Sequence, residues 1–189
     1  MKGDVVNRII LWFGVLIFVL LEIYSVTTNS HYKFDFFLVL AFAVVIYYYR
    51  DKLNLHWFHY FLFFGFLVLH NLGTFGLYSN FYFGLEYDWY VHSLFGLSAA
   101  LILFRGLGLN KGSLAKRWHL VWIVPVLILG ISAMHELFIE FAGALLLGKG
   151  EGALYIGAGD VDQWDTQKDL FFNFVGSVIG VGLSFIRRK

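Results

Sequence analysis

Ile9-Ile10-Leu11-Trp12-Phe13-Gly14-Val15-Leu16-Ile17-Phe18-Val19-Leu20-Leu21 contains no charged side chain, and its only hydrogen-bonding group is one indole. A helix packed on a soluble core needs a polar face towards water; this segment has none. The same texture returns in Phe36–Tyr49 and Phe171–Ile186. Of 189 residues, 59% are hydrophobic and 14% charged, against about 45–50% apolar and a quarter charged in globular domains. A soluble core of this chain length cannot hide such runs. The sequence therefore reads as an integral membrane protein. No polar stretch is long enough for a separate soluble domain, so residues 1–189 are expected to form a single transmembrane domain. The absence of cysteine excludes disulfides, thiolate nucleophiles and Cys-type metal sites.

A hydrocarbon layer about 30 Å thick needs roughly 20 helical residues. Six spans are expected: Arg8–Thr27, Phe34–Tyr49, Trp57–Tyr78, Asp88–Phe104, Trp118–Leu147 and Thr166–Ile186. Continuous apolar runs exclude a barrel, whose strands alternate. Lys2 and Arg8 ahead of an apolar stretch resemble a signal peptide. The exit Tyr24-Ser25-Val26-Thr27-Thr28 has no small-x-small cleavage site, so a retained first span is expected. With the N-terminus inside, eleven of the fourteen Lys and Arg residues fall on the cytoplasmic side, leaving Lys33, Lys149 and Lys168 outside. The positive-inside rule then puts both termini in the cytoplasm of an inner-membrane, multi-pass protein. Trp57, Trp89 and Trp118 mark span ends as interfacial anchors. The bilayer is the expected environment, with no nucleic-acid partner.

Ionisable residues within spans are expensive and mark functional sites by default. Given this orientation, Glu22, His70, His135, Glu136 and Glu140 lie in the outer halves of outward-running spans. Asp88, His92, Asp169 and Asn173 lie near the outer starts of inward-running ones. The cytoplasmic half is almost wholly apolar. Helical spacing gathers the polar groups into stripes: Asp88, His92 and Gly96; Ser132, Glu136, Glu140 and Gly143, with His135 on the flank; Asp169, Asn173, Gly176, Gly180 and Ser184. Small and polar stripes are the faces that membrane helices bury against one another. The charged groups should therefore meet around a polar cavity open to the outside. His70-Asn71-Leu72 followed by Asp88-x3-His92, and His135-Glu136-Leu137 followed by Asp169-x3-Asn173, suggest a tandem repeat of helical hairpins, spans 3–4 and 5–6.

These residues carry a family likeness. Asp88-x3-His92, a carboxylate pair on the next span, and Asp169-x3-Asn173-x2-Gly176-x3-Gly180 resemble the VanZ-like membrane proteins. Gly159-Asp160-x3-Trp164-Asp165-Thr166-Gln167-x-Asp169 resembles the YjdF-like branch of uncharacterised inner-membrane proteins. The likeness covers about Asp88–Gly180. Glu136 and Glu140, four apart and preceded by His135, depart from the three-residue spacing common in that branch. The resemblance implies a cell-envelope role, since VanZ-like proteins are associated with tolerance to glycopeptide antibiotics.

Asp88, His92, Glu136, Glu140 and Asp169 are thus the candidate catalytic set, with His70, His135, Asp165 and Asn173 as candidate substrate contacts. Three chemistries suit the set. One is a divalent metal held by all five, since the mixed oxygen and imidazole donors suit zinc, manganese or iron; no His-Glu-x-x-His is present. A second is metal-free acid–base chemistry on a lipid or lipid-linked substrate. The third is proton- or cation-coupled transport. The structural alternative is capping: Thr166 as N-cap with Asp169 as its capping-box partner, and Asp88 capping the fourth span. A purely structural membrane subunit is the corresponding whole-protein reading. Several features read as ordinary. Gly148-Lys149-Gly150-Glu151-Gly152 lacks a phosphate-loop setting, and Asp160-x-Asp162-x2-Asp165 lacks the calcium-loop pattern. His31, His56, His59 and His119 are expected to be solvated or anchoring. Pro125 should kink the fifth span. Neither substrate nor oligomeric state can be read from these residues.

Overall fold

The computed structural model describes residues 2–28, 35–78, 80–109, 121–140 and 164–186. Among them are six α-helices: α1 (Lys2–Thr27), α2 (Asp35–Tyr49), α3 (Trp57–Leu72), α4 (Tyr87–Gly106), α5 (Ile123–Met134) and α6 (Asp165–Ile186). Three described stretches are long and apolar enough to cross a membrane: Val5–Thr27, Trp57–Leu77 and Asp165–Phe185. Val39–Tyr49 and Ile123–Phe138 are shorter apolar helices. α4 has 20 residues, about 30 Å of helix, but Asp88, His92 and Arg105 dilute its apolar character.

Helix α1 is sided despite its uniform hydrophobicity. Asn7, Gly14, Phe18 and Ser25 are buried while Ile9, Trp12, Phe13, Leu16, Leu20 and Ile23 stay exposed. The buried stripe meets α3, where the Phe18 and Phe64 rings stack at 5.9 Å. Gly14 is required there, because a Cβ would collide with the Phe64 ring. Phe18, Val39, Ala43, Tyr60, Phe64 and Leu67 join α1, α2 and α3 into one apolar cluster. A second cluster, with Ala100, Phe104, Val124, Ile128 and Val181, joins α4, α5 and α6.

The α4–α6 crossing is the closest in the described structure. A Cβ at Gly96 would strike the Asn173 carbonyl, and one at Gly176 would strike the Ser93 carbonyl. Gly180 lies equally tight against Leu97 and Ala100. The small-residue stripes foreseen on these two helices are thus the faces that touch, as small residues let membrane helices approach.

Several expectations are corrected. The all-α reading misses a two-stranded antiparallel hairpin, β1 (Phe81–Tyr82) and β2 (Leu85–Glu86), paired Phe81 to Glu86 and Tyr82 to Leu85. Its turn residues Phe83 and Gly84 both have positive φ, 53° and 82°, the primed geometry that suits the strand twist. Tyr90 Oη donates to the Tyr82 carbonyl at 2.7 Å and seats the hairpin on α4. The third and fifth spans do not continue as regular α-helix: the chain kinks after α3, where Phe75 and Gly76 leave helical geometry and Gly76 takes φ of 93°, and α5 passes into a π-helical turn at His135–Glu140. Pro125 sits in the first turn of α5, with the α-helical break just before it at Trp122. His59 is buried, 8% exposed, and stacks on exposed His56 at 6.0 Å, so only His56 fits the solvated reading. Trp89, expected as an anchor, also packs within the assembly, stacked on Phe172 at 4.9 Å. His31, Trp118, His119, Gly143, Lys149, Glu151, Asp160 and Asp162 lie outside the described residues.

Candidate functional site

Asp88 lies in the first turn of α4, and His92 follows one turn later on the same face. Asp169 stands one turn into α6. Because Gly96, Gly176 and Gly180 draw the two backbones together, these side chains meet across the crossing. His92 Nε2 lies 3.4 Å from Asp88 Oδ1 and 3.2 Å from Asp169 Oδ1. One donor atom from each of the three falls within 4.8 Å of the others. Asp169 is 4% exposed, and Asp88 and His92 are largely covered. Both helices begin here, so their positive ends favour the carboxylates.

Glu136 reaches the cluster from the π-helical turn after α5. It is 4% exposed and accepts a hydrogen bond from Thr166 Oγ1 at 3.4 Å. It stands close enough to His92 and Asp169 to act on both electrostatically. His135, beside it, is within electrostatic reach of His92. His70 approaches Asp88 from the end of α3, and its Nδ1 is 2.5 Å from Tyr78 Oη. Tyr78 Oη also lies 3.0 Å from the His70 backbone carbonyl, so this phenol meets both the ring and the main chain of His70. Asp165, the first residue of α6, stands within electrostatic reach of Asp169. Asn173, 1% exposed, donates through Nδ2 to Ser132 Oγ and ties α6 to α5. Glu140 closes its π-helical turn; its side chain lies outside the described residues.

The side-chain caps expected of Thr166 and Asp88 are not formed, although Asp88 and Asp169 still complement the positive ends of their helices. α6 begins at Asp165, which puts Thr166 inside the helix with its hydroxyl on Glu136 instead of on its own helix end. Asp88 is likewise the second residue of α4; the capping position falls to Glu86, which makes no side-chain cap bond. Sequence reasoning missed two supports. Tyr78 reaches back eight residues to His70 across the kink at Phe75 and Gly76, and Thr166 looked like a cap. The nearness of Tyr78 to His70 in the chain was the sole available signal for the first.

At the other end of the helices, Arg105 Nε donates to the Asn54 carbonyl at 2.7 Å and fastens α4 to the turn before α3. Partial burial, with the Arg105 guanidinium nearby, lowers the pKa of His56 in that turn.

Chemically, the cluster presents two carboxylates converging on one imidazole nitrogen, with a third buried carboxylate beside them. It can hold a cation, share a proton, or orient a polar head group. Three apolar helices of spanning length, beside a buried acid–histidine cluster at one end of the assembly, fit a membrane protein. The chain belongs to the DUF2238 family of predicted membrane proteins, whose family model matches residues 6–189. No curated protein and no solved structure matches it.

Proposed function

We propose that the protein crosses the inner membrane six times with both termini in the cytoplasm, and that its Asp88–His92–Asp169 centre performs acid–base or metal-assisted chemistry on the head group of a lipid or lipid-linked substrate in the outer leaflet. The observation that carries this reading is the pair of carboxylate oxygens, from two different helices, flanking His92 Nε2 at 3.4 and 3.2 Å. Burying such a set is expensive unless it is used. Glu136 supplies a further ionisable group for proton transfer, and His70 and His135 border the centre as substrate contacts. The excess of Lys and Arg on one side of the spans supports the orientation.

The alternative, proton- or cation-coupled transport, needs polar groups continuing across the membrane. Beyond the centre, α4, α5 and α6 pack through Ala100, Phe104, Val124, Ile128 and Val181, which favours a closed-ended enzyme site. The resemblance to VanZ-like proteins directs the assay to tolerance of envelope-acting antibiotics. Deletion of the protein should alter that tolerance, and His92→Gln and Asp169→Asn should fail to restore it while inserting normally. Full restoration by both variants, at wild-type membrane levels, would end the reading of this cluster as the functional centre.

A further inference from the structure

We infer that Asp88, His92 and Asp169 form a three-ligand site for a first-row divalent transition-metal cation, with Asp88 Oδ1, His92 Nε2 and Asp169 Oδ1 as the donor atoms. The inference deepens the functional reading of this cluster and rests on it for its relevance, but not for its geometry.

Three observations carry it. First, the two measured edges fit a shared ion. Donors about 2.0–2.2 Å from one cation, at angles between octahedral and tetrahedral, stand about 2.8–3.6 Å apart. The two edges at His92 Nε2 are 3.4 and 3.2 Å, and one donor atom from each of the three residues lies within 4.8 Å of the others. Second, a single ring N–H cannot serve two carboxylates. Asp169 Oδ1 is buried and has no hydrogen-bond partner among the described residues, despite its closeness to His92. An acceptor left so in a protein interior is costly; a cation in place of the imidazole proton would engage both oxygens and the ring nitrogen together. Third, the charge balances. Two carboxylates with a neutral imidazole carry two negative charges, which a divalent ion cancels in a region where unpaired charge is penalised heavily.

The donor set selects the metal class. Imidazole disfavours magnesium and calcium, while two carboxylates disfavour copper(I), leaving zinc, manganese or iron(II). Three protein ligands leave coordination positions open for water or a substrate oxygen, as in catalytic sites and unlike closed structural ones. Glu136 then stands beside the ion and outside the proposed ligand set, where it can exchange protons with a bound water.

The test is binding, read on the full chain in detergent or nanodiscs. Protein stripped with chelator is titrated with zinc and manganese chlorides and separately with magnesium and calcium chlorides; metal content is measured after gel filtration. The expected result is about one zinc or manganese ion per chain. Affinity should fall at least tenfold in His92→Gln and Asp169→Asn, and stay unchanged in Glu86→Gln, an acid at the same end but outside the cluster. Each variant is first shown to be folded by gel filtration and circular dichroism. Absence of binding by the folded wild type, magnesium or calcium binding as tight as zinc, or undiminished affinity in both ligand variants would overturn the site. Variants that lose the ion yet keep the antibiotic phenotype would leave the cation site standing and remove the functional reading. A metal-free wild type whose variants lose the phenotype would do the reverse.

Discussion

Gly96 and Gly176 decide whether the candidate site exists at all. Each is so tight against the facing backbone that a methyl group would force α4 and α6 apart. Gly176→Ala should therefore destabilise the protein by about 1–3 kcal/mol, the usual cost of overpacking. Gly182→Ala on the same helix, with open space around it, should be neutral. Thermal unfolding in detergent, followed by circular dichroism, separates the two; equal midpoints would contradict the close crossing. Thr166 supplies a second residue-level test. Its hydroxyl serves Glu136 across helices, so Thr166→Val should cost about 1 kcal/mol, and most of that cost should disappear in a Glu136→Leu background, where no acceptor remains. A helix cap would show no such coupling in a double-mutant cycle.

The glycine stripes were legible because helical spacing is rigid: Asp88, His92 and Gly96 fall on one line of any helix containing them, as do Asp169, Asn173, Gly176 and Gly180. The partnership of Asp88 and His92 with Asp169 followed from that geometry and from the shared end of their helices. The partners of Thr166 and Tyr78 did not, because each depends on where a helix begins or kinks. Such boundaries turn on single backbone bonds, and a string of residue types encodes them weakly.

At the level of elements, the hairpin, the kink after α3 and the π-helical turn after α5 are where pattern reading failed. Strands of two residues leave no alternation to detect, and a π-helical turn uses the same residues as the α-helix it extends. Gly76, at the kink, and Gly84, in the hairpin, were the glycines that marked a change of direction. Phe83 beside it takes φ of 53°, a conformation that opposes an L side chain by about 1–2 kcal/mol, and its ring is fully exposed. Phe83→Gly should relieve that strain, raising stability in detergent by about 1 kcal/mol, less what glycine loses in the unfolded chain. A midpoint that falls instead would mean the ring packs in the folded state. The π-helical turn after α5 has a clearer consequence. It occurs where the outward-running fifth span was expected to place polar residues, and it carries His135 and Glu136 together. π-Helical segments recur at functional sites because they re-aim side chains without ending the helix, and here the turn brings Glu136 to α6.

For the whole molecule, the orientation of the bundle determines which leaflet the centre faces, and the chain offers an unusually clean way to measure it. With no native cysteine, a single introduced thiol reports without background. Asn80 is exposed at the hairpin end, beside the start of α4, and Lys52 is exposed in the turn between α2 and α3, at the opposite end. Helices α3 and α4 separate these positions from each other in space, so one should lie on each side of the membrane. Eleven of fourteen basic residues, Lys52 among them, were assigned to the cytoplasm by the positive-inside rule, which acts on Lys and Arg in short loops near span ends. Asn80→Cys should therefore react with a membrane-impermeant maleimide in intact cells, and Lys52→Cys should react only after the membrane is opened. Asp88, just after the hairpin that follows Asn80, would then sit near the outer head groups. Reversed labelling would put the Asp88–His92–Asp169 centre at the cytoplasmic leaflet. The cluster would keep its geometry, but its substrate would have to be sought among inner-leaflet lipids. Labelling of both positions from outside would break the antiparallel pairing of α3 and α4 across the membrane, and with it the six-crossing reading.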